Sequence, residues 1–477
     1  MRSSVLPEGA LRHYPVAVLG FGRAGRAVCD YLLALGCHPT VYEAGEQSEG
    51  TKRRYTANGV SFTGEFPEEF PESILFRSPG LRPDHPAILR SLARGAYLTG
   101  EVDWFLSHTK ATVIGVTGSD GKTTTTHMIE ALLRAAGKRV ICGGNNGIPL
   151  LTRMHYLGHG DFAVVEMSSF QLMTACAPDV AVITNLTPNH LNWHRDYEEY
   201  LAAKCRIFYG AKRLVLSADC PTSYLIGKRA PVPVTWHTIR EKLPFTPKTG
   251  GVFLTATGVN IRLHGEETRY DIPAFRDFSL PGLHNRQNLL AAYAAAYPFA
   301  DERAAMTVSR EFHGVPHRLQ RVDCVCGVTY INSSIDTSPT RTAAALSAMD
   351  APPIVIAGGR TKGIPLDALG DALAMRARAV FLYGEAAGEI ASALGNRVYT
   401  ERFLLFADAF AAASRYARAG DTVLLSPGCT AYDQFENIEK RGECFTEMVR
   451  ALVGKDKKSG ASRTDPRDGG ACECDGL

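Results

Sequence analysis

What this 477-residue chain lacks narrows its function before any motif is read. No apolar run approaches the roughly 18 residues needed to cross a bilayer, which argues against a membrane-spanning role. The first residues, MRSSVLPEGALRHYP, have no apolar core of the kind a secretory signal carries, so a cytoplasmic location is expected. Charge of one sign is missing too: 52 Lys and Arg against 49 Asp and Glu leave +3, too little to call for a nucleic-acid or membrane partner. Twelve cysteines are present, yet no C-x-x-C occurs. The pairs Cys324/Cys326 and Cys472/Cys474 have no matching second half, so they are weak metal signals. Buried free thiols in a reducing compartment are the expected reading.

Length suggests about three domains. Strand-like apolar runs alternate with helical patterns almost throughout, and short internal repeats are absent, so parallel α/β architecture is expected. The first unit, PVAVLGFGRAGRAVCDYLLALGCHPTVYEA, runs strand, G-x-G-x-x-G turn (Gly20, Gly22, Gly25), helix, and a second strand ending at Glu43. Alone it would fit a dinucleotide site with the acid on a ribose, or a Rossmann-like turn that binds something else. A second α/β region starts near residue 101 and a third near GVPHRLQRV. From Gly454 the tail is polar, glycine-rich and aperiodic, and is read as disordered.

The central region carries the more specific signals. GVTGSDGKTTTT follows the apolar run ATVI and opens a helix, the setting in which backbone amides cradle phosphate and a lysine reaches the outer phosphates. It departs from the strict G-x-x-x-x-G-K-[ST] pattern, because its first glycine, Gly115, falls one place early. A second strand, DFAVVE, closes on Glu166, where an acid can hold nucleotide-bound magnesium. A third, DVAVITNLTPNHLNWH, delivers Asn185, Asn189 and His190. Ligands bind beyond the carboxyl ends of strands in an open parallel sheet, so three such ends together point to one site.

In DYEEYLAAKCRIFYG the residues Tyr197, Tyr200, Leu201, Lys204, Ile207 and Phe208 share one helical face. Lys204 then lies on an apolar stripe, where an ammonium either snorkels to the rim or turns toward an anionic or metal site. In the third region the loops PHR, INSSIDTSPTRT, GGRTKG and SPGCTAYDQF offer His317, Arg318, Arg341 and Lys362, groups suited to carboxylates or phosphates.

Together these motifs resemble the Mur ligase family, over nearly the whole chain except the tail. That family's phosphate loop is T-G-x-[ND]-G-K-[TS], with the glycine spacing found here. GGNNGIP, EMSSFQL, LPGLHNRQNLLAA and PHRLQ resemble further family motifs. LSPGCTAYDQFENIEKRGECF is similar to the D-glutamate-adding branch. The resemblance implies a UDP-substrate-binding Rossmann-like domain (1–100), a central ATP-binding P-loop-type parallel-sheet domain (101–312), a C-terminal Rossmann-like amino-acid-binding domain (313–453) and the tail (454–477).

It also implies roles. Gly118, Ser119, Asp120, Gly121, Lys122, Thr123 and Thr124 would form the ATP loop, with Asn285, Asn288, His317 and Arg318 around the nucleotide. Thr123, Glu166, His190 and Lys204 would surround two magnesium ions, Lys204 being the family lysine that is carbamylated. Lys122, Glu166, His190 and Lys204 would carry catalysis. Gly20, Phe21, Gly22, Glu43, Ser78, Asn145 and Ser168 would lie along the UDP-sugar substrate. Thr337, Arg341, Lys362, Ser426 and Phe435 would grip the amino acid.

The implied activity is ATP-dependent addition of D-glutamate to UDP-MurNAc-L-alanine through an acyl phosphate, by a monomer with no nucleic-acid or membrane partner. Two departures stand out: Ser333 where the family has aspartate, and Asp336 where alanine is usual. A Mur-type ligase for another amino acid and a catalytically silent nucleotide- or UDP-sugar-binding protein remain the alternatives.

Overall fold

The computed structural model describes residues 5–45, 47, 49–190, 193–240, 250–254, 259–263, 266–270, 278, 280, 283–361 and 365–460. It divides into two compact units, Met1–Phe312 and His313–Leu477. The first unit holds two sheets and the second holds one.

In the N-terminal sheet, strands β1 (Val16–Leu19), β2 (Thr40–Tyr42), β3 (Ser61–Thr63), β4 (Ile74–Arg77) and β5 (Tyr97–Thr99) are parallel, in the order β3-β2-β1-β4-β5. β1 and β4 are buried at every residue, as strands covered on both faces must be. The turn after β1 approaches the following helix (Arg23–Ala34) closely. A Cβ on Gly25 would stand 2.0 Å from the Gly20 carbonyl oxygen, so only glycine fits there.

The central sheet comprises β6 (Thr112–Thr117), β7 (Val140–Gly144), β8 (Phe162–Glu166), β9 (Val180–Ile183), β10 (Arg213–Ser217), β11 (Val234–Thr238), β12 (Gly250–Leu254), β13 (Val259–Leu263) and β14 (Glu266–Tyr270), in the order β14-β13-β12-β11-β10-β9-β6-β8-β7. The pairings from β7 to β12 are parallel, whereas β12, β13 and β14 form an antiparallel meander that a purely alternating α/β reading does not anticipate. β6 sits between β8 and β9. Chain connections leave it toward both sides, which opens a crevice at its carboxyl end. The phosphate-loop helix (Lys122–Ala135) buries Met128, Ile129, Leu132 and Leu133 against the sheet and against the alanine-rich helix Leu283–Ala296.

In the second unit, β15 (Gln320–Val325), β16 (Val328–Asn332), β17 (Ile354–Gly358), β18 (Ala379–Tyr383), β19 (Tyr399–Phe403) and β20 (Thr422–Gly428) follow the order β15-β16-β20-β17-β18-β19. The β15–β16 pair is antiparallel and the other strand pairs of this sheet are parallel. The last helix, Ile438–Gly460, runs past residue 454, where the sequence suggested an aperiodic tail. Extending an existing helix avoids the nucleation cost, and lysines propagate it well. Residues 461–477 lie outside the described residues.

Candidate active site

The phosphate loop leaves β6 in two left-handed glycines, Gly118 (φ +148°) and Gly121 (φ +76°). Gly118 also abuts the segment after β9, since a Cβ there would lie 1.9 Å from Thr184 Oγ1. No side chain caps the helix at Gly121, and its positive N-terminal end opens at the carboxyl end of β6, the setting that favours an anion. Thr123 and Thr124 are half-buried in that first turn. Asn288 packs against Gly121, with its Oδ1 2.4 Å from the position a Cβ would take; Asn285 lies one turn earlier on the same helix.

Two ammonium groups converge on the loop. Lys122 Nζ donates to the Gly118 and Ser119 carbonyls at 3.0 and 2.9 Å. Lys204 Nζ donates to the same Gly118 carbonyl at 2.7 Å and to Thr117 Oγ1 at 3.2 Å. Lys204 is 2 % exposed, and its ammonium lies 4.9 Å from the centre of the Tyr200 ring. It is buried on the expected stripe with Tyr200, Ile207 and Phe208, and does not snorkel. Burial, and then the charge of Lys122, hold its pKa well below that of an ordinary lysine. The His190 pKa is lowered in the same sense, first by burial and then by Lys122 and Lys204. Its backbone adopts φ +54° and its ring stands edge-on to Phe170.

Glu166 ends β8 beside this pair and is 2 % exposed. Asn145 Nδ2 donates to its Oε1 at 2.7 Å, while its Oε2 is buried with no hydrogen-bond partner. An orphaned carboxylate oxygen is costly unless something cationic completes it, and oxygen donors suit magnesium. The residues therefore fit a metal-bound nucleotide.

Several expected ligands have other duties. The Ser119 hydroxyl is buried between Thr187 O and Tyr200 Oη, both at 2.8 Å, and its amide donates to Asn185 O. Ser119 therefore fastens the loop to the β9 segment and has no hydroxyl left for phosphate. The Asp120 amide is likewise taken, by Asn185 Oδ1 at 2.8 Å. Asn145 faces Glu166, and Ser168 caps the helix Ser169–Leu172 in a reciprocal box with Gln171.

Around the N-terminal turn, Glu43 accepts the amides of Phe21 (2.6 Å) and Gly45 (2.8 Å), so its carboxylate braces its own loop. Phe21 is fully buried between Tyr55 and Phe62, leaving only its backbone at the turn. Ser78 Oγ donates to Gly20 O at 3.2 Å, which brings Gly20, Gly22, Glu43 and Ser78 into one cluster.

Sequence reasoning missed three residues that join this cluster to the central sheet. Arg77, 4 % exposed and pushed down to about 10 by burial, donates to Pro79 O and to Phe170 O. Arg82 pairs with Asp84 and Glu199 and donates to Trp193 O at 2.8 Å. Trp193 Nε1 donates to Gly80 O at 3.0 Å. The arginines bracketing Ser78-Pro79-Gly80 were visible, but nothing local marks their partners.

In the second unit, His317 (φ +63°) lies 3.3 Å from Asn332 Nδ2, and its carbonyl accepts the Ile335 amide. Arg318 follows in the same turn. Arg341 donates to Ile335 O, next to Thr337. Ser426 is fully buried: its hydroxyl donates to Asp336 Oδ2 at 2.8 Å and lies 3.0 Å from Thr342 Oγ1. Its hydroxyl thus supports Asp336 in this structure. Ser333 bonds to the same carboxyl, which burial holds above the usual range. The two unusual residues of INSSIDT are consequently one hydrogen-bonded unit. Phe435 packs edge-on against Phe406. Lys362 lies outside the described residues.

Comparison with known proteins agrees with this anatomy. Residues 116–296 match the Mur ligase middle domain, and residues 317–429 match the Mur ligase glutamate ligase domain. The UDP-N-acetylmuramoylalanine–D-glutamate ligase of Acetivibrio thermocellus is 35 % identical over 463 residues, 93 % of this chain and 97 % of that protein. The protein of the same name from Symbiobacterium thermophilum is 37 % identical over 452 residues, 91 % and 98 % of the two chains. That of Clostridium kluyveri is 35 % identical over 456 residues, 92 % and 96 %. The chain belongs to the Mur ligase family, alongside the UDP-N-acetylmuramoylalanine–D-glutamate ligases.

Proposed function

We propose that this protein is an ATP-dependent carbon–nitrogen ligase that adds D-glutamate to UDP-N-acetylmuramoyl-L-alanine in peptidoglycan precursor synthesis. Relatives of that name, matched over nearly their full length, support the substrate pair. The observation that carries the chemistry is the convergence of Lys122, Lys204 and the half-satisfied Glu166 carboxylate at the ends of β6 and β8.

The L-alanyl carboxylate oxygen attacks the γ-phosphorus of ATP, and ADP leaves. The D-glutamate amine then attacks the acyl carbon, and the tetrahedral intermediate collapses to amide and phosphate, losing the amine proton. The reacting groups are mostly anions, so positioning and charge neutralisation supply most of the rate. Lys122 holds the transferred phosphoryl group, and the amides opening the Lys122–Ala135 helix hold its neighbours. Glu166, with Thr123, His190 and a carbamylated Lys204, would hold Mg²⁺, which when bound neutralises phosphate charge.

Gly20, Gly22, Ser78 and their surroundings take the UDP end, whereas Thr337 and Arg341 act toward D-glutamate. The protein works in the cytoplasm, where ATP and the sugar nucleotide meet, and as a monomer. Among the described residues no helix is long and apolar enough to cross a membrane.

Phosphate release with UDP-N-acetylmuramoyl-L-alanine, ATP and Mg²⁺ tests the reading. Release is expected with D-glutamate and not with a panel of other amino acids. Lys122→Ala should abolish it while the UDP substrate still binds. Turnover retained in that variant, or release with a different amino acid alone, would overturn the assignment.

A further inference from the structure

A second group of metal-type donors lies on the phosphate-loop helix, apart from the catalytic set. His127 and Glu130, three residues apart, share a face of Lys122–Ala135, and Cys142 on β7 faces them. His127 Nδ1, a Glu130 carboxylate oxygen and Cys142 Sγ all lie within 4.8 Å of one another. Tetrahedral zinc, with bonds of about 2.0–2.3 Å, spaces its ligands by roughly 3.3–3.8 Å, so modest rotamer changes would close the set.

The surroundings match a built site. Glu130 Oε1 is held from behind by Arg134 at 2.8 Å, leaving Oε2 toward His127 at 3.2 Å. Asn146 Nδ2 donates to Cys142 Sγ at 3.5 Å, a contact that favours a thiolate. Outer contacts of this kind orient ligands and tune affinity. His127 and Glu130 side chains are 19 % and 17 % exposed, so an ion has access, whereas Cys142 is 4 % exposed. Glu130 Oε1 accepts both Nε and a terminal nitrogen of Arg134, at 3.1 and 2.8 Å. Burial, and then Glu130, push the Cys142 thiol up.

We propose that His127, Glu130 and Cys142 form a zinc site, with water as the fourth ligand, that clamps the phosphate-loop helix to β7. Binding replaces the thiol proton and any proton on His127 Nδ1, which pass to solvent. The two negative ligands neutralise the dication, and Arg134 remains paired with Glu130. β7 runs on into Asn145–Gly147, whose Asn145 braces Glu166, so the clamp also steadies the loop beside the catalytic carboxylate. One ion of a borderline-soft metal is the expected stoichiometry, because a nitrogen, oxygen and sulfur set excludes magnesium.

The test is titration of the chelator-treated full chain with Co²⁺ and then Zn²⁺, without nucleotide. One equivalent of Co²⁺ should raise a thiolate-to-cobalt charge-transfer band, and Zn²⁺ should abolish it. The band should be missing in Cys142→Ser and should survive in the double variant Cys472→Ser/Cys474→Ser. Arg134→Ala should weaken binding by about 10- to 100-fold. Zn²⁺ should raise the thermal midpoint of the parent protein and not that of Glu130→Gln, which keeps the thiol and covers the case in which Cys142→Ser fails to fold. No band in the parent, or a band that persists in Cys142→Ser, would overturn the proposal and leave a hydrogen-bonded triad.

Discussion

Removing the Arg82 guanidinium tests whether the clasp between the N-terminal turn and the helix Tyr197–Cys205 contributes to stability. Arg82 makes a two-pronged contact with Asp84 (2.8 and 2.9 Å) and reaches Glu199 Oε1 at 2.8 Å. Its charge also lies 4.9 Å from the Trp193 ring centre. With Arg82 as the largest cause, the Glu199 carboxyl falls from 4.5 to about 2. That difference corresponds to about 3 kcal/mol at 1.36 kcal/mol per pH unit. The Arg82 and Glu199 side chains are 25 % and 19 % exposed, so solvent screening reduces the coupling to about 1–2 kcal/mol.

The assay is a double-mutant cycle of Arg82→Ala and Glu199→Gln by urea unfolding. Trp104, Trp193 and Trp236 are the only tryptophans of the chain and all lie in Met1–Phe312, so their fluorescence reports that unit alone. Because the folded carboxyl is depressed, its contribution is complete above about pH 4.5 and disappears as pH falls toward 2. A coupling below about 0.3 kcal/mol at pH 7, or one that grows in acid, would refute the reasoning.

Three further outcomes are expected. Gly118→Ala forces a Cβ into Thr184 at φ +148°, so nucleotide binding should be lost and the unit destabilised by about 1–3 kcal/mol, measured by ATP titration and urea unfolding. Lys204 should add CO₂ as its neutral amine, which its lowered pKa makes accessible; the ¹³C carbamate signal should fade as pH drops through that pKa and be absent in Lys204→Arg. Arg441, fully buried, donates to Ser334 O, Cys429 O, Thr430 O and Tyr383 Oη. Arg441→Met removes these buried hydrogen bonds and should cost about 3–5 kcal/mol, seen as faster amide exchange in β16, β17 and β20 and not in β6.

The sequence by itself determined the elements whose meaning is local. A glycine-lysine loop between an apolar strand and a helix can fold in few ways, since left-handed backbone at Gly118 and Gly121 is open to glycine and closed to most other residues. The placement of Glu166 follows from the continuous apolar run it closes, and that of Lys204 on an apolar helical face from period 3.6. The antiparallel strands β12–β14 were not legible, because alternation sets a strand and leaves its partner and direction open.

Side-chain duty was decided only by the tertiary structure. Ser119, Glu43 and Ser426 look like ligands in a one-dimensional reading, yet each is engaged by backbone or side-chain groups that folding brings to it. Arg82 finds Glu199 across 117 residues of chain, and Ser426 finds Asp336 across 90. A polar group removed from water must take whichever partner packing supplies, and that partner is fixed by the sheet order, not by its neighbours in the chain.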